Sequence, residues 1–249
     1  EERLLGVSLT GIMDCKVTNG KGPHGSLEAV LKDLKSMAMK TNEEFAKKMG
    51  INQSVAVTCV KPSGTVSQLT DSASGIHARH NPYYIRTVRG DKKDPLTRMM
   101  VDVGFPVEDD VMNPSHTSVF SFPHKVDDSA VFRTDMTAIE QLELWKTYQE
   151  CWCEHKPSVT ISVKENEWLE VGAWVYENFN YMSGVSFLPF SDHTYKQAPY
   201  QDCTQQEYEV LLDKMPKVVE WDKLAEYEQT DMTIGAQELA CAAGFCEIQ

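Results

Sequence analysis

The residue pattern of the chain predicts an α/β fold with mainly parallel strands. Apolar runs of strand length alternate with longer stretches of helical spacing, and the connections between them are a few residues long. One such run, Val55 to Val60, ends in a turn of Pro, Gly and hydroxyl residues that hands over to a short helical pattern through Val66 and Leu69. With 41% hydrophobic and 24% charged residues over 249 positions, the chain can bury one sizeable core or two smaller ones.

Taken in order, Leu4 to Met13 is apolar enough for a strand or a buried helix, and Thr18 to Gly25 is a Gly-rich loop. Ser26 is placed to cap a helix whose apolar face is Leu27, Val30, Leu31, Leu34, Ala38, Phe45 and Met49, closed by Gly50. Val55 to Val60 reads as a buried strand, and Tyr84 to Val88 as another after a Pro turn. Pro95 to Val103 is a short helix ending at Gly104; Val107 to Ser118 is loop-like, and Ser118 to Pro123 returns to a strand pattern. Thr137 and Glu140 make a capping box for a long helix through His155, with Ile139, Leu142, Trp145, Tyr148 and Trp152 as a core-facing stripe. Ser158 to Lys164 alternates as a strand, Glu167 to Tyr181 is helical, and Val185 to Phe190 is the next strand. Thr204 and Glu207 cap a helix over Gln205 to Met215. From about Lys217 the apolar pattern fades into acidic and small residues, as in a mobile tail.

Charge and composition narrow the function. A formal net charge of −13 argues against a nucleic-acid groove, because phosphate backbones are bound chiefly by Lys and Arg. No apolar run approaches the roughly 20 residues of a membrane span, and Glu1-Glu-Arg-Leu-Leu is neither a signal peptide nor an initiator methionine. The expectation is a cytosolic chain cut from something longer. Any phosphate ligand must then be held locally, by amides and a few cations.

The best candidate for that task is Pro62-Ser63-Gly64-Thr65-Val66-Ser67, between the Val55 to Val60 strand and the following helix. Free N–H groups at a helix start carry roughly +0.5 charge, hydroxyls add donors, and Gly64 lets the backbone come close. An ordinary helix cap uses the same residue types, so the pattern leaves both readings open.

Seven cysteines, at 15, 59, 151, 153, 203, 241 and 246, show no paired zinc-type spacing. Cys15, Cys59 and Cys203 read as small packing hydrophobes. Cys151 and Cys153, one residue apart on the expected helix, face different sides and make poor joint metal ligands, even with His155 nearby. Cys241 and Cys246 are different. Separated by four residues with Gly244 between them, they can close a small disulfide loop without disturbing a core, and spacing fits equally a redox shuttle and two idle thiols.

Val60-Lys-Pro-Ser-Gly-Thr-Val-Ser67, Ser74-Gly-Ile-His77, Pro82-Tyr-Tyr-Ile-Arg86 and Val88-Arg89 resemble the substrate-phosphate loop and following segment of adenosylcobalamin-dependent (class II) ribonucleotide reductases. Leu5 to Ile12, Trp152 to Lys164, Gln197 to Cys203 and the Cys241/Cys246 pair are similar to the same family, above all its single-chain ribonucleoside-triphosphate branch. The resemblance implies the C-terminal portion of the family's ten-stranded α/β barrel over residues 1–216, and a flexible segment over 217–249 whose Cys241 and Cys246 re-reduce an active-site disulfide and are recharged by thioredoxin. It implies adenosylcobalamin, shared with an N-terminal part, as the source of a thiyl radical that removes the ribose 3′ hydrogen before the 2′ hydroxyl leaves as water. Pro62, Ser63, Gly64, Thr65, Val66 and Ser67 would hold the substrate phosphates.

One departure matters. The family's radical cysteine lies in an Asn-Pro-Cys-Gly-Glu motif, whereas here Asn81-Pro82 is followed by Tyr83 and Asn113-Pro114 by Ser115. The expectation is therefore a C-terminal part that works only with an N-terminal one. A diphosphate reductase fragment, a non-catalytic nucleotide-binding module and a thiol–disulfide partner protein are the competing readings.

Overall fold

The computed structural model describes residues 2–23, 25–63, 66–127, 129–190 and 195–229. In chain order β1 (Val7–Ser8) leads through a 3-10 turn at Ile12–Asp14 to α1 (Ser26–Met49), β2 (Thr58–Cys59) and α2 (Val66–Leu69). Next come β3 (Tyr83–Asp91), α3 (Pro95–Val103), β4 (Val107–Asp109) and β5 (Thr117–Lys125). They are followed by α4 (Ala138–Cys151), β6 (Ser158–Val163), α5 (Trp168–Asn178), β7 (Gly184–Pro189), β8 (Tyr200–Asp202), α6 (Gln205–Asp213) and α7 (Leu224–Glu228). The chain divides into two units and crosses between them after Arg79, Val126 and residue 191.

The first unit has the parallel strands that the sequence predicts. β1 pairs with β2 across α1, Val7 opposite Thr58, and β6 pairs with β7 across α5 from Ser158 opposite Gly184 to Val163 opposite Pro189. Parallel neighbours need such a crossover, which a helix supplies. The core is built on α4, where Leu142, Trp145 and Tyr148 are fully buried with Trp152 just beyond. Each large ring also satisfies its polar atom. Trp145 Nε1 donates to the Pro157 carbonyl (3.2 Å), Trp152 Nε1 to the Cys59 carbonyl (2.8 Å) and the Tyr148 hydroxyl to the Thr18 carbonyl (2.8 Å).

The expected helix through His155 stops early. After Cys151 the chain turns back onto β2, and the Thr58 carbonyl accepts from the amides of Glu154 (2.9 Å) and His155 (3.1 Å). Glu154 Oε2 in turn accepts from the Val57 amide at 2.9 Å. These contacts bind the end of α4 to a strand nearly a hundred residues earlier, which no local pattern could signal.

Two features of the first unit correct the sequence reading. Ser26 does not cap α1: Gly25, at φ 76°, holds the cap position, and Ser26 Oγ donates to the Pro23 carbonyl at 2.6 Å. Gly50 does end the helix in the left-handed region, at φ 65°. The apolar face of α1 is only half used. Leu27 and Leu31 are buried, but Leu34 is 42% exposed, Phe45 52% and Met49 63%. The strand expected over Val55 to Val60 shrinks to Thr58–Cys59, because Val55 lies outside the core at 67% exposure.

The second unit departs from the parallel expectation. β3 and β5 pair antiparallel over nine residues, from Tyr83 opposite Lys125 to Asp91 opposite Thr117, with β4 and β8 antiparallel on the outer sides. Alternation reveals where a strand lies but not which way its partner runs, so the fold is mixed α/β. α3 obeys its signals fully: the Asp94 carboxylate accepts from the amides of Leu96 (2.8 Å) and Thr97 (3.2 Å), Pro95 leads, and Gly104 at φ 94° ends it.

The chain does not lose its order at Lys217. α7 packs on α3, where the Tyr227 hydroxyl donates to Asp102 (3.0 Å) and Arg98 donates to the Tyr227 carbonyl (2.9 Å), and Trp221 meets Phe105. Two aromatic anchors six residues apart are too sparse to register as a periodic pattern.

Replacing Leu31 by Ala should cost about 2–5 kcal/mol of unfolding free energy. The same change at Leu34, on the exposed part of α1, should cost less than about 1 kcal/mol. Urea denaturation of the two variants measures the difference, and equal losses would show that the second half of the face is also covered.

Candidate phosphate-binding site

The turn after β2 is ringed by hydroxyls from three segments of the first unit. Lys61 donates its amide to Ser8 Oγ at 3.0 Å, which ties the turn to β1. Ser63 donates its amide to Ser74 Oγ at 3.1 Å, and its own hydroxyl lies 3.3 Å from Ser74 Oγ and 3.0 Å from Thr10 Oγ1. Thr10 Oγ1 donates to the Ala73 carbonyl and accepts from the Gly75 amide, both at 3.0 Å. Gly75 must be glycine: its φ is +54°, and a Cβ there would sit 3.0 Å from the Lys61 carbonyl oxygen.

Of the residues that the sequence singles out, Pro62 is exposed, Ser63 half-buried and Val66 68% exposed, so this side of the turn is open to solvent. Ser67 is buried, and its carbonyl accepts from the amides of Thr70 (3.2 Å) and Ser72 (2.9 Å), closing the turn upon itself. Gly64 and Thr65 lie outside the described residues, as do Cys241 and Cys246. α2 spans four residues. A single turn offers free amides but only a small part of a macrodipole, which grows by alignment of several turns, so hydroxyls matter more here than the sequence pattern suggests.

Behind the hydroxyls stands an ion pair between a buried Arg79 and a half-buried Asp14. Asp14 receives Arg79 Nε on Oδ1 (2.8 Å) and Arg79 Nη2 on Oδ2 (3.1 Å), and Oδ2 also accepts from the Ala73 amide at 2.6 Å. Thr10, Asp14, Ser74 and Arg79 were not singled out by residue type. The signal available was the density of hydroxyls at Ser8, Thr10 and Ser74 within segments that share the family resemblance.

His77 closes the segment. Nδ1 donates to the Ser74 carbonyl (3.0 Å), and Nε2 accepts from the Thr160 amide (3.1 Å), which fixes the neutral Nδ1–H tautomer and links the segment to β6. Burial pushes its pKa below the ordinary 6.5, against the weaker pull of the Ser74 carbonyl.

The thiols sort by exposure. Cys59, Cys151 and Cys153 are buried, and burial raises the pKa of Cys151 and pushes Cys153 up to about 12 and Cys203 to about 11, so Cys151, Cys153 and Cys203 stay protonated. Cys15, expected to pack, is instead exposed, and a hydrogen bond with the Val17 backbone lowers its pKa. His155 Nε2 is taken by the Leu5 carbonyl at 2.7 Å. Among the described residues no group of three His, Cys, Asp or Glu side chains could hold a metal ion.

The neutral state of His77 sets a pH dependence. Its folded pKa lies below the unfolded one, so the unfolded chain binds the proton more readily and stability rises with pH through that window. The contribution is complete above about pH 6.5 and is lost as pH falls toward the depressed value. Denaturant midpoints for the wild-type chain should therefore fall more steeply between about pH 7 and 5 than those of His77→Gln. Parallel curves would show that the His77 pKa is not lowered on folding.

No family model matches the sequence. The adenosylcobalamin-dependent ribonucleoside-triphosphate reductase of Euglena gracilis is 31% identical over 220 residues, covering 87% of this chain and 30% of that protein. The enzyme of the same name from Lactobacillus leichmannii is 25% identical over 279 residues, covering 100% of this chain and 37% of that protein. A crystal structure of a B12-dependent (class II) ribonucleotide reductase superposes with a TM-score of 0.76 at 22% identity, over 93% of this chain and 36% of the other. Among the described residues no helix is long and apolar enough to cross a membrane. The chain spans about a third of the length of the curated relatives it matches, and it is a homologue of adenosylcobalamin-dependent ribonucleoside-triphosphate reductases that shares the fold of the class II enzyme.

Proposed function

We propose that the chain is the C-terminal part of an adenosylcobalamin-dependent ribonucleotide reductase, reducing ribonucleoside triphosphates to deoxyribonucleotides for DNA synthesis in the cytoplasm. The observation that carries this reading is the extent of the homology, 87 to 100% of the chain against a third of each reductase, together with a solvent-open turn ringed by Thr10, Ser63 and Ser74. Residues 1–216 would form the C-terminal portion of the reductase barrel, and 217–249 the redox segment.

In this reading Pro62, Ser63, Gly64, Thr65, Val66 and Ser67 form the turn that holds the substrate phosphates; Pro62, which has no N–H, shapes the backbone, and the Ser63 hydroxyl is a donor because the Ser63 and Val66 amides are already bonded within the protein. Fixing the anionic end places the ribose relative to the reacting groups, and positioning of this kind converts binding into rate. Adenosylcobalamin supplies the radical chemistry when bound. In this reading the cofactor is shared with the N-terminal part, and no residue here is assigned to it. Cys241 and Cys246 deliver two electrons. One thiolate attacks the oxidised active-site disulfide, the mixed disulfide is resolved by the other, and a Cys241–Cys246 disulfide results, which thioredoxin reduces by the same exchange. Cys151 and Cys153, whose pKa values burial raises, do not compete as thiolates.

The chain lacks Asn-Pro-Cys-Gly-Glu, so by itself it should make no deoxyribonucleotide from a ribonucleoside triphosphate, adenosylcobalamin and reductant. Joined to an N-terminal part carrying that motif it should turn over. In that assembly Cys241→Ser with Cys246→Ser should abolish multiple turnover with thioredoxin while a single turnover survives. Full multiple turnover by the double variant would remove the tail from the mechanism, and turnover by the isolated chain would remove the need for a partner part.

A further inference from the structure

α5 is apolar around more of its circumference than its packing in the first unit uses. Its inward side is settled: Val171 and Trp174 are buried, and Trp174 Nε1 donates to Glu143 on α4. Its only charged residues, Glu170 and Glu177, lie seven positions apart and so share one flank. A third side carries Leu169 at 91% exposure and Tyr176 at 86%, and Phe179, at 71%, continues it into the 3-10 turn that follows. With Gly172 between them these residues stand at steps of three, four and three, the spacing of a seam between two packed helices.

Exposed apolar side chains are ordinarily scattered singly, and a row of large ones along one helix marks a contact surface. A surface helix of a self-sufficient domain turns polar groups away from its core, whereas one that is apolar on several sides is covered on several sides. Gly172 is an independent sign. A Cβ placed there would meet nothing within 4 Å, so among the described residues nothing covers this side of α5 and nothing requires a glycine. Glycine in a helix interior weakens the helix relative to alanine, and what it offers in return is close approach of another backbone.

The occupant follows from what lies beyond the chain. The reductases that it matches are about three times as long, the chain covering 30% of one and 37% of another. On the reading of the chain as the C-terminal part, most of the protein that would surround the first unit is therefore the N-terminal part. The seam spacing calls for a helix there, because an extended segment gains most by pairing with a strand edge, which α5 does not offer.

We propose that Leu169, Gly172, Tyr176 and Phe179 dock an apolar helix of the reductase's N-terminal part. The proposal rests on the C-terminal-part reading and deepens it by naming the surface through which the two parts hold each other.

Sedimentation velocity tests this with the full chain, alone and mixed with a separately produced N-terminal part that carries Asn-Pro-Cys-Gly-Glu. The wild-type chain should be monomeric alone and should bind that part. Leu169→Glu and Tyr176→Glu should each weaken the binding more than tenfold, because each carries a charge into an apolar contact. Gly172→Leu should weaken it as well, by holding the two helices apart. Both glutamate variants replace exposed side chains, so their thermal melts should match the wild type. Should either melt early, Leu169→Ser and Tyr176→Ser decide in its place. Wild-type binding by the folded variants would overturn the proposal and leave a C-terminal part that docks elsewhere. A dimer of the chain alone that the same variants dissolve would also overturn it, assigning the seam to a second copy. Failure of the wild-type chain to bind the N-terminal part would overturn the C-terminal-part reading and the proposal with it.

Discussion

The pairing of Asp14 with Arg79 is the constraint on which the first unit's open turn depends. A guanidinium at 5% exposure cannot stay ionised and solvated, so it must find carboxylate and carbonyl partners or be expelled. Here the partners are Asp14 and Asp71, and in meeting that demand they fix the backbone at residues 71 to 75 against the turn at Lys61 to Ser63. Removing Asp14 leaves the charge of a buried guanidinium undercompensated, at a cost below the about 3–5 kcal/mol of a fully buried pair because Asp14 is 25% exposed, whereas a surface pair such as Lys48 with Glu44 contributes well under about 1 kcal/mol. The geometry of the hydroxyl ring is thus a by-product of an electrostatic necessity. Gly75 lets the two backbones approach closely enough for that to work.

The same logic runs through the rest of the first unit. Thr58 sits at the centre of it, giving its hydroxyl to the Trp152 carbonyl and its own carbonyl to Glu154 and His155. The segment Trp152 to Ser158 is therefore less a connection than a second edge to β2, and Ser158 passes its amide to the Val60 carbonyl before β6 begins. His77 supplies the last link, joining the turn's support to β6 through a neutral ring.

How much of this could be read from sequence depends on the distance over which each interaction acts. α3 was legible because its signals are adjacent: Asp94, Pro95 and Gly104 each act within one turn. α4 and α6 were legible for the same reason, with Thr137–Glu140 and Thr204–Glu207 capping boxes both formed as expected. Ser26 failed because a serine beside a glycine can serve either the helix or the preceding loop, and the loop won. The antiparallel sheet of β3, β4, β5 and β8 was invisible, since direction is a property of pairs. Val55 and Leu34 misled because apolarity does not prove burial. In the candidate site the turn itself was legible, but Asp14 lies 59 residues from Ala73 and 65 from Arg79, and Thr10 lies 65 from Gly75, so nothing local marks them.

The first unit is discontinuous in sequence, being left after Arg79 and rejoined at Asp127. Its closing contacts join residues far apart: Tyr148 to Thr18 across 130 positions, Trp152 to Cys59 across 93 and Thr160 to His77 across 83. Closing such long loops sacrifices chain entropy before any packing is gained, which slows folding in proportion to sequence separation. During synthesis the β1, α1 and β2 segment emerges with its inner face bare, and it must wait for more than sixty further residues before α4 arrives to cover it. Nascent-chain protection, and not the final stability of the turn, is then the stage at which this architecture is most exposed to failure.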